Sequence, residues 1–345
     1  MFEIIFVIIG SLVGAGFASG REIYIFFMKY GKNGTFGILL TGIIISLIVY
    51  KTLCITKTFE IGSYNRLLER VNWKHEKLNK ITNFIVNVFL LSSFYIMVAG
   101  FGSYIKQTCD IPIYISSILF VAICYVVFKK NISGVVKVNK ILVPLLIFLI
   151  AFIAIINIAN LFGRNDIQNI FAKTNENIII ERNIFGKVTD NWIVSSILYA
   201  SYNSIIIIPI LTTISKLIKS KKQIIKVSII SGLVVIFLAI CILITLPKDA
   251  YFIAQYEMPL LPVVEKIGVG FKYIYGFIII ASIFTSAVST GYGFLRNMKN
   301  YNYDFILIVM CVSSIFVSNI GFSNLVGTLY PLFGVFGLLQ IFQIS

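Results

Sequence analysis

The stretch FVIIGSLVGAGFASGREIYIFFMKYG, residues 6–31, decides the fold. It is long and apolar enough to cross a bilayer, because roughly 20 apolar residues span about 30 Å of hydrocarbon as a helix. Yet Gly10, Gly14, Gly16 and Gly20 fall within it, with Ser11 and Ser19 among them. Each glycine weakens a helix by about 1 kcal/mol relative to alanine, so the helix is expected to fail near residues 14–20. Unwound backbone at membrane depth is tolerated only where it is buried in protein or lines a wet cavity. A broken span whose break faces a site is the expectation. The competing use of Gly10 and Gly14, four residues apart, is close helix packing.

Outward from this stretch, similar apolar segments recur at about 34–54, 80–106, 113–129, 138–161, 191–215, 224–246, 267–295, 303–320 and 323–343. The 345 residues are 58% hydrophobic and only 12% charged, with mean hydropathy +0.94. Soluble domains carry about twice that share of charge, so a soluble enzyme is excluded. The reading is an all-α polytopic membrane protein of about ten transmembrane helices, embedded in a lipid bilayer. Its first apolar segment lacks a cleavage pattern and is read as a retained span.

The formal charge of +15 is explained by its distribution. With both termini on the cytoplasmic side, the inner loops hold eighteen basic and five acidic residues, and the outer side ten basic and eight acidic. This is the positive-inside pattern of a multi-pass cytoplasmic-membrane protein. The basic loops are topology signals, and no nucleic-acid surface is called for. Five scattered cysteines give neither a disulfide framework nor a metal motif. The single histidine, His75, lies in a basic inner loop and is read as solvated.

Ten spans divide into five before and five after the loop at about 162–190. Residues 1–162 form a first five-helix repeat, 163–190 an extracytoplasmic connection and 191–345 a second repeat. An odd number per half gives the halves opposite membrane orientation, the plan of a 5+5 inverted repeat in which the first helix of each half is often broken. Span six reads WIVSSILYASYNSIIIIPIL, residues 192–211, where Tyr199, Ser201, Tyr202, Asn203 and Ser204 interrupt the apolar run before Pro209. Spans one and six are both expected to be broken and to face each other, which brings Tyr199, Ser201 and Asn203 to the site.

Arg21 and Glu22 follow the first break. A charge near bilayer centre costs at least about 2.5–3.5 kcal/mol, so the two are expected to line a hydrated outer vestibule, as gating residues or as outer-half stabilisers. Glu22 as a proton carrier is a further use. Span eight contains ASIFTSAVSTGYG, residues 281–293, in which Ser282, Ser286 and Ser289 share a helix face with Thr285 beside it. Hydroxyls beside free carbonyls suit a hard monovalent cation such as sodium, although such hydroxyls also bond their own helix. In span three, Phe94 and Tyr95 are candidates for an aromatic lid, with Tyr95 as a gating residue. Catalytic motifs are absent from the sequence, as is a carboxylate pair within a span. The chain is not read as an enzyme and calls for no cofactor.

The run VGAGFASGREIYIFFMKYGKNG, residues 13–34, with LYASYN, residues 198–203, resembles the YkvI-like amino-acid permeases, a bacterial branch of the amino acid–polyamine–organocation (APC) superfamily. The resemblance implies a LeuT-type fold and a secondary transporter that moves a small amino acid or related zwitterion by ion-coupled alternating access. Sodium-coupled members carry a similar GxxVGxG, matched here by Gly10, Val13, Gly14 and Gly16. It implies sodium held by the Gly10, Val13 and Ser282 carbonyls and the Thr285 and Ser286 hydroxyls. A substrate carboxylate would then lie at the amides of Gly14, Ala15, Gly16, Phe17 and Ala18. Proton-coupled relatives use a lysine deep in span five. Residues 141–156 contain no ionisable group, while Lys137 and Lys140 at that span's inner end keep proton coupling open. Amino-acid-sensing germinant-receptor subunits share the superfamily fold and form the alternative, with a passive channel as a third reading.

Overall fold

The glycine-rich stretch is broken twice. In the computed structural model, which describes residues 1–71, 76–129, 135–162, 190–247, 253, 255–298 and 302–344, helix α1 (Phe2–Leu12) ends where the Val13 amide bonds the Ile9 carbonyl at 2.8 Å. Gly14 is extended, and a single turn, α2 (Ala15–Ala18), begins after it. Gly20 then adopts φ +82°, a left-handed conformation that favours glycine, and α3 (Arg21–Phe26) continues. A side chain at Gly20 is excluded twice over, because its β-carbon would also sit 2.9 Å from Leu260 Cγ.

The remaining helices are α4 (Lys32–Thr58), the short α5 (Tyr64–Val71), α6 (Glu76–Cys109), α7 (Ile113–Lys129), α8 (Val135–Phe162), α9 (Trp192–Ile214), α10 (Lys221–Thr245), α11 (Leu260–Ile267), α12 (Val269–Asn297), α13 (Tyr303–Ser318) and α14 (Phe322–Ile344). Their starts are written locally. Asn191, Ser220 and Asn302 accept amide hydrogens from the first turns of α9, α10 and α13 through their side chains. Among the described residues, α4, α6, α8, α9, α10, α12 and α14 are each long and apolar enough to cross a membrane, and α1, α7 and α13 are shorter apolar helices. Phe84, Phe277, Phe316 and Phe342 stand exposed on the outside of the bundle, as suits side chains that meet lipid.

The broken segment runs through the middle of the bundle. α1 packs on α8, α9 and α10, α2 touches α6 and α12, and α3 touches α9, α10 and α14. Around it, α4 packs on α9 and α10, α6 on α7, α12, α13 and α14, and α8 on α10 and α12.

The second expected break is absent. α9 runs unbroken from Trp192 to Ile214 with Pro209 inside it. Its polar residues bond their own helix instead of opening it: Ser201 Oγ donates to the Ile197 carbonyl at 2.6 Å, Asn203 Nδ2 to Tyr199 at 2.9 Å and Ser204 Oγ to Ser201 at 2.6 Å. This back-bonding is available to any Ser or Asn in a helix. The segment also contains no glycine, which is what weakens the first span. His75 and the connection at 163–189 lie outside the described residues, as do the side chains of Lys137 and Lys140.

Candidate functional site

Between α1 and α2 the helical bonding pattern lapses. After the Val13 amide, the next bond of this type runs from the Ala18 amide to the Gly14 carbonyl at 2.9 Å. The carbonyls of Gly10 to Val13 and the amides of Gly14 to Phe17 are therefore what the break presents. Ala18 leaves the expected donor set, because its amide is already engaged and its carbonyl accepts from the Tyr275 hydroxyl of α12. Ala15, Gly16, Phe17 and Ala18 are all buried.

On one side of the break, Gly10, Val13, Ser282 and Thr285 line one cavity together with Ile9, Leu142, Val143, Leu146 and Ile147. It measures about 10 Å³, room for about one water molecule. One wall is oxygen-rich, formed by the end of α1 and the hydroxyl face of α12, and the α8 wall is aliphatic. Thr285 Oγ1 donates to the Ser282 carbonyl at 3.1 Å and keeps its lone pairs for an acceptor role. Ser286 is not among the lining residues. Its Oγ lies beside Gly14, 3.9 Å from where a β-carbon would stand, and Ser289 is exposed.

On the other side lies Glu22. The expected hydrated vestibule is not what the chain forms here: Glu22 is 2% and Arg21 6% exposed. Helix α3 turns the Glu22 carboxyl back toward the break, so that Gly16 has no room for a β-carbon beside Oε1. Tyr199 donates its hydroxyl to Oε2 at 3.0 Å, and Tyr202 donates to the same oxygen. Aromatic rings enclose the group. Tyr199 packs edge-on against Phe26 and Phe27, each at 5.0 Å, and Tyr202 stacks on Tyr330 of α14 at 4.6 Å.

Arg21 goes elsewhere. Its Nη1 donates to the Ile253 carbonyl at 3.3 Å and its guanidinium lies over the Tyr24 ring. It thereby ties α3, through Ile253, to a strap whose described residues 255–267 cross the same end of the bundle. The Leu260 amide bonds the Ser19 carbonyl at 3.1 Å, and the Gln107 side chain exchanges two hydrogen bonds with the Met258 backbone, at 3.2 and 3.1 Å. Glu257 accepts from the Ser323 amide at 2.6 Å, at the start of α14.

Three other expected residues are placed away from the break. Tyr95 shares a hydrogen bond of 2.6 Å with Ser313 in the seam of α6 and α13, and Phe94 packs against Phe128. Ser201 faces α14, where Gly337 allows the two backbones to meet. Asn203 stays on the face of α9 that carries Tyr199, four residues earlier. The residues that sequence reasoning missed are Tyr202 as a site residue, Tyr275, Tyr330 and Gln107. Tyr202 was within reach, because it follows Tyr199 by three residues and so shares its face. The other three carry no local signal.

Among the described residues no group of three or more His, Cys, Asp or Glu side chains is placed to hold a metal ion. No protein-family model matches the sequence. The chain is similar to the uncharacterized membrane protein YkvI of Bacillus subtilis, with 27% identity over 342 residues that cover 97% of this chain and 92% of that one. It is also similar to the uncharacterized protein YyaD of the same organism, at 25% over 339 residues, covering 96% and 92%. Among solved structures it resembles a mutant manganese transporter of Eremococcus coleocola, with TM-score 0.63 and 13% identity, over 99% of this chain and 78% of that one. The same transporter bound to an aromatic bis-isothiourea substituted compound gives TM-score 0.61 and 13% identity over 99% and 77%. At such identity the likeness is one of fold: the chain is a multi-pass membrane protein that shares the fold of that transporter.

Proposed function

We propose that this protein is a secondary active transporter of a small amino acid or related zwitterion, working by alternating access with sodium as the coupling ion. The observation that carries the reading is the meeting of the α1 break with the α12 hydroxyl face around one small cavity. Oxygen donors without formal charge suit a hard monovalent cation, and carbonyls freed at a broken helix are the usual source of them. In this reading Gly10, Val13, Ser282 and Thr285 hold the ion, with Ser286 behind them. The substrate lies against Gly14, Ala15, Gly16 and Phe17, with Tyr199 and Asn203 across from it.

Ten crossings arranged as two inverted halves belong to the same proposal, with both termini cytoplasmic. The packing supports it, because exchanging the halves preserves most neighbours. α8 lies on α1 as α14 lies on α9, α13 lies on α12 as α7 lies on α6, and α8 lies on α12 as α14 lies on α6.

The test is electrogenic uptake into proteoliposomes, presenting a pooled amino-acid panel under a sodium gradient and then under a proton gradient alone. Saturable current that needs sodium is the expected result. Because Thr285 lines the cavity and Ser286 does not, Thr285→Ala should raise the half-saturating sodium concentration at least about tenfold, equivalent to ~1.4 kcal/mol, and Ser286→Ala much less. Current under protons alone removes the sodium assignment and favours the buried Glu22 as the coupling group.

A further inference from the structure

Glu22 is the one buried acidic side chain among the described residues. Its surroundings are two phenol hydroxyls and a set of aromatic rings. The unbroken α9 sharpens the point. Around Tyr199 and Tyr202 it stays helical, and the Asn203 amide is used on Tyr199. Apart from the Ile205 carbonyl, which Pro209 leaves without an i+4 amide, the α9 backbone acceptors on this side of the break are engaged within the helix. The strong acceptor at this place is the carboxyl of Glu22.

We propose that Glu22 is the ligand for the positive end of the solute, and that the site takes primary amines whether or not they carry a carboxylate. The inference rests on the transporter reading only for where the solute binds. An ammonium brings three N–H donors to a carboxylate that now accepts from Tyr199 and Tyr202, and it can replace either of them without leaving the oxygens bare. The rings of Phe26, Tyr199, Tyr202 and Tyr330 cluster around the same group, and aromatic faces attract a desolvated cation. The opposite end of a zwitterion has less to hold it. Of the amides expected for a carboxylate, that of Ala18 is spent on Gly14, and the Glu22 carboxyl lies against Gly16 among the rest.

The experiment uses the purified full chain and follows thermal unfolding with three matched sets of probes: L-alanine, ethylamine and propionate; L-leucine, isoamylamine and 4-methylpentanoate; L-phenylalanine, phenethylamine and 3-phenylpropanoate. In at least one set the amino acid and the amine should raise the unfolding temperature while the acid does not. Glu22→Gln should abolish the shift given by the amine, and Glu22→Asp should keep it at an affinity weakened about tenfold. A shift with the acid but not the amine overturns the proposal, as does an equal amine shift in Glu22→Gln or silence toward every amine. Should Glu22→Gln fail to fold, Tyr330→Leu keeps the carboxyl and removes a ring, and amine affinity should fall about tenfold; unchanged affinity overturns the proposal.

Uptake measured on the same protein separates the two readings. Transport of an acid that lacks an amine leaves the transporter standing and removes this inference, whereas amine binding without uptake of any probe does the reverse. Normal amine binding by Glu22→Gln with loss of proton-driven uptake assigns Glu22 to proton carriage and also overturns it.

Discussion

Gly16 and Glu22 are six residues apart, and both stand out in the sequence for separate reasons, one as a helix breaker and the other as a charge in an apolar run. Their contact is not legible there, because it depends on the turn that the left-handed Gly20 introduces between them. Once that turn is made, the carboxyl lies where a Gly16 side chain would be. Gly16→Ala should therefore displace the Glu22 carboxyl from Tyr199 and Tyr202. We expect a stability loss of about 1–3 kcal/mol, the usual range for overpacking, and uptake reduced at least tenfold. Shortening the acid in the double variant Gly16→Ala with Glu22→Asp should restore part of the stability, as thermal unfolding would show by a non-additive cycle. Additive losses would mean that the two side chains do not meet. The cavity set fared differently: Ser282 and Thr285 were readable from their types and spacing, Gly10 and Val13 were implied by the resemblance, and the four line one cavity. The place of Tyr95 was not readable, since an aromatic residue on a membrane helix gives no sign of which seam it enters.

At the scale of elements, α1 and α9 show why one polar interruption opens a helix and another does not. Glycine leaves the backbone weak and supplies nothing in return, whereas Ser201, Asn203 and Ser204 bond the carbonyls of the preceding turn. The sequence marks both places as polar, and only the bonding distinguishes them. The glycines that serve α9 are on its neighbour. Gly337 of α14 leaves no space for a β-carbon beside the Ser201 carbonyl oxygen, and one on Gly334 would lie 2.7 Å from the Leu198 carbonyl. Gly337→Ala should lower the unfolding temperature by an amount equivalent to about 1–3 kcal/mol. Gly270, at the start of α12 with nothing within 4 Å, is the control: Gly270→Ala should be neutral or gain up to about 1 kcal/mol of helix propensity. Equal effects at the two positions would show that α9 and α14 do not meet this closely.

For the whole molecule, hydropathy located the helices well, because a bilayer demands the same length of apolar chain wherever it is crossed. The expected segments at 113–129, 191–215 and 323–343 fall on Ile113–Lys129, Trp192–Ile214 and Phe322–Ile344. Orientation rests on the bias of basic residues, and the cysteines allow it to be tested. Cys109 is exposed at the end of α6, while Cys124, Cys241 and Cys311 are buried. With both termini cytoplasmic, an impermeant maleimide should label Cys109 on intact cells and lose that label in Cys109→Ser; labelling of Cys109 only in inverted vesicles would reverse the orientation. The strap of residues 253 and 255–267 bears on time as well as on shape. Arg21, Ser19, Gln107 and the first turn of α14 all hold it across one end of the bundle. A compound that reaches its site from that side by displacing the strap needs those bonds to release together. Its association should level off with rising concentration at the strap's own opening rate, so inhibitors aimed at that face would act with slow onset however tightly they bind.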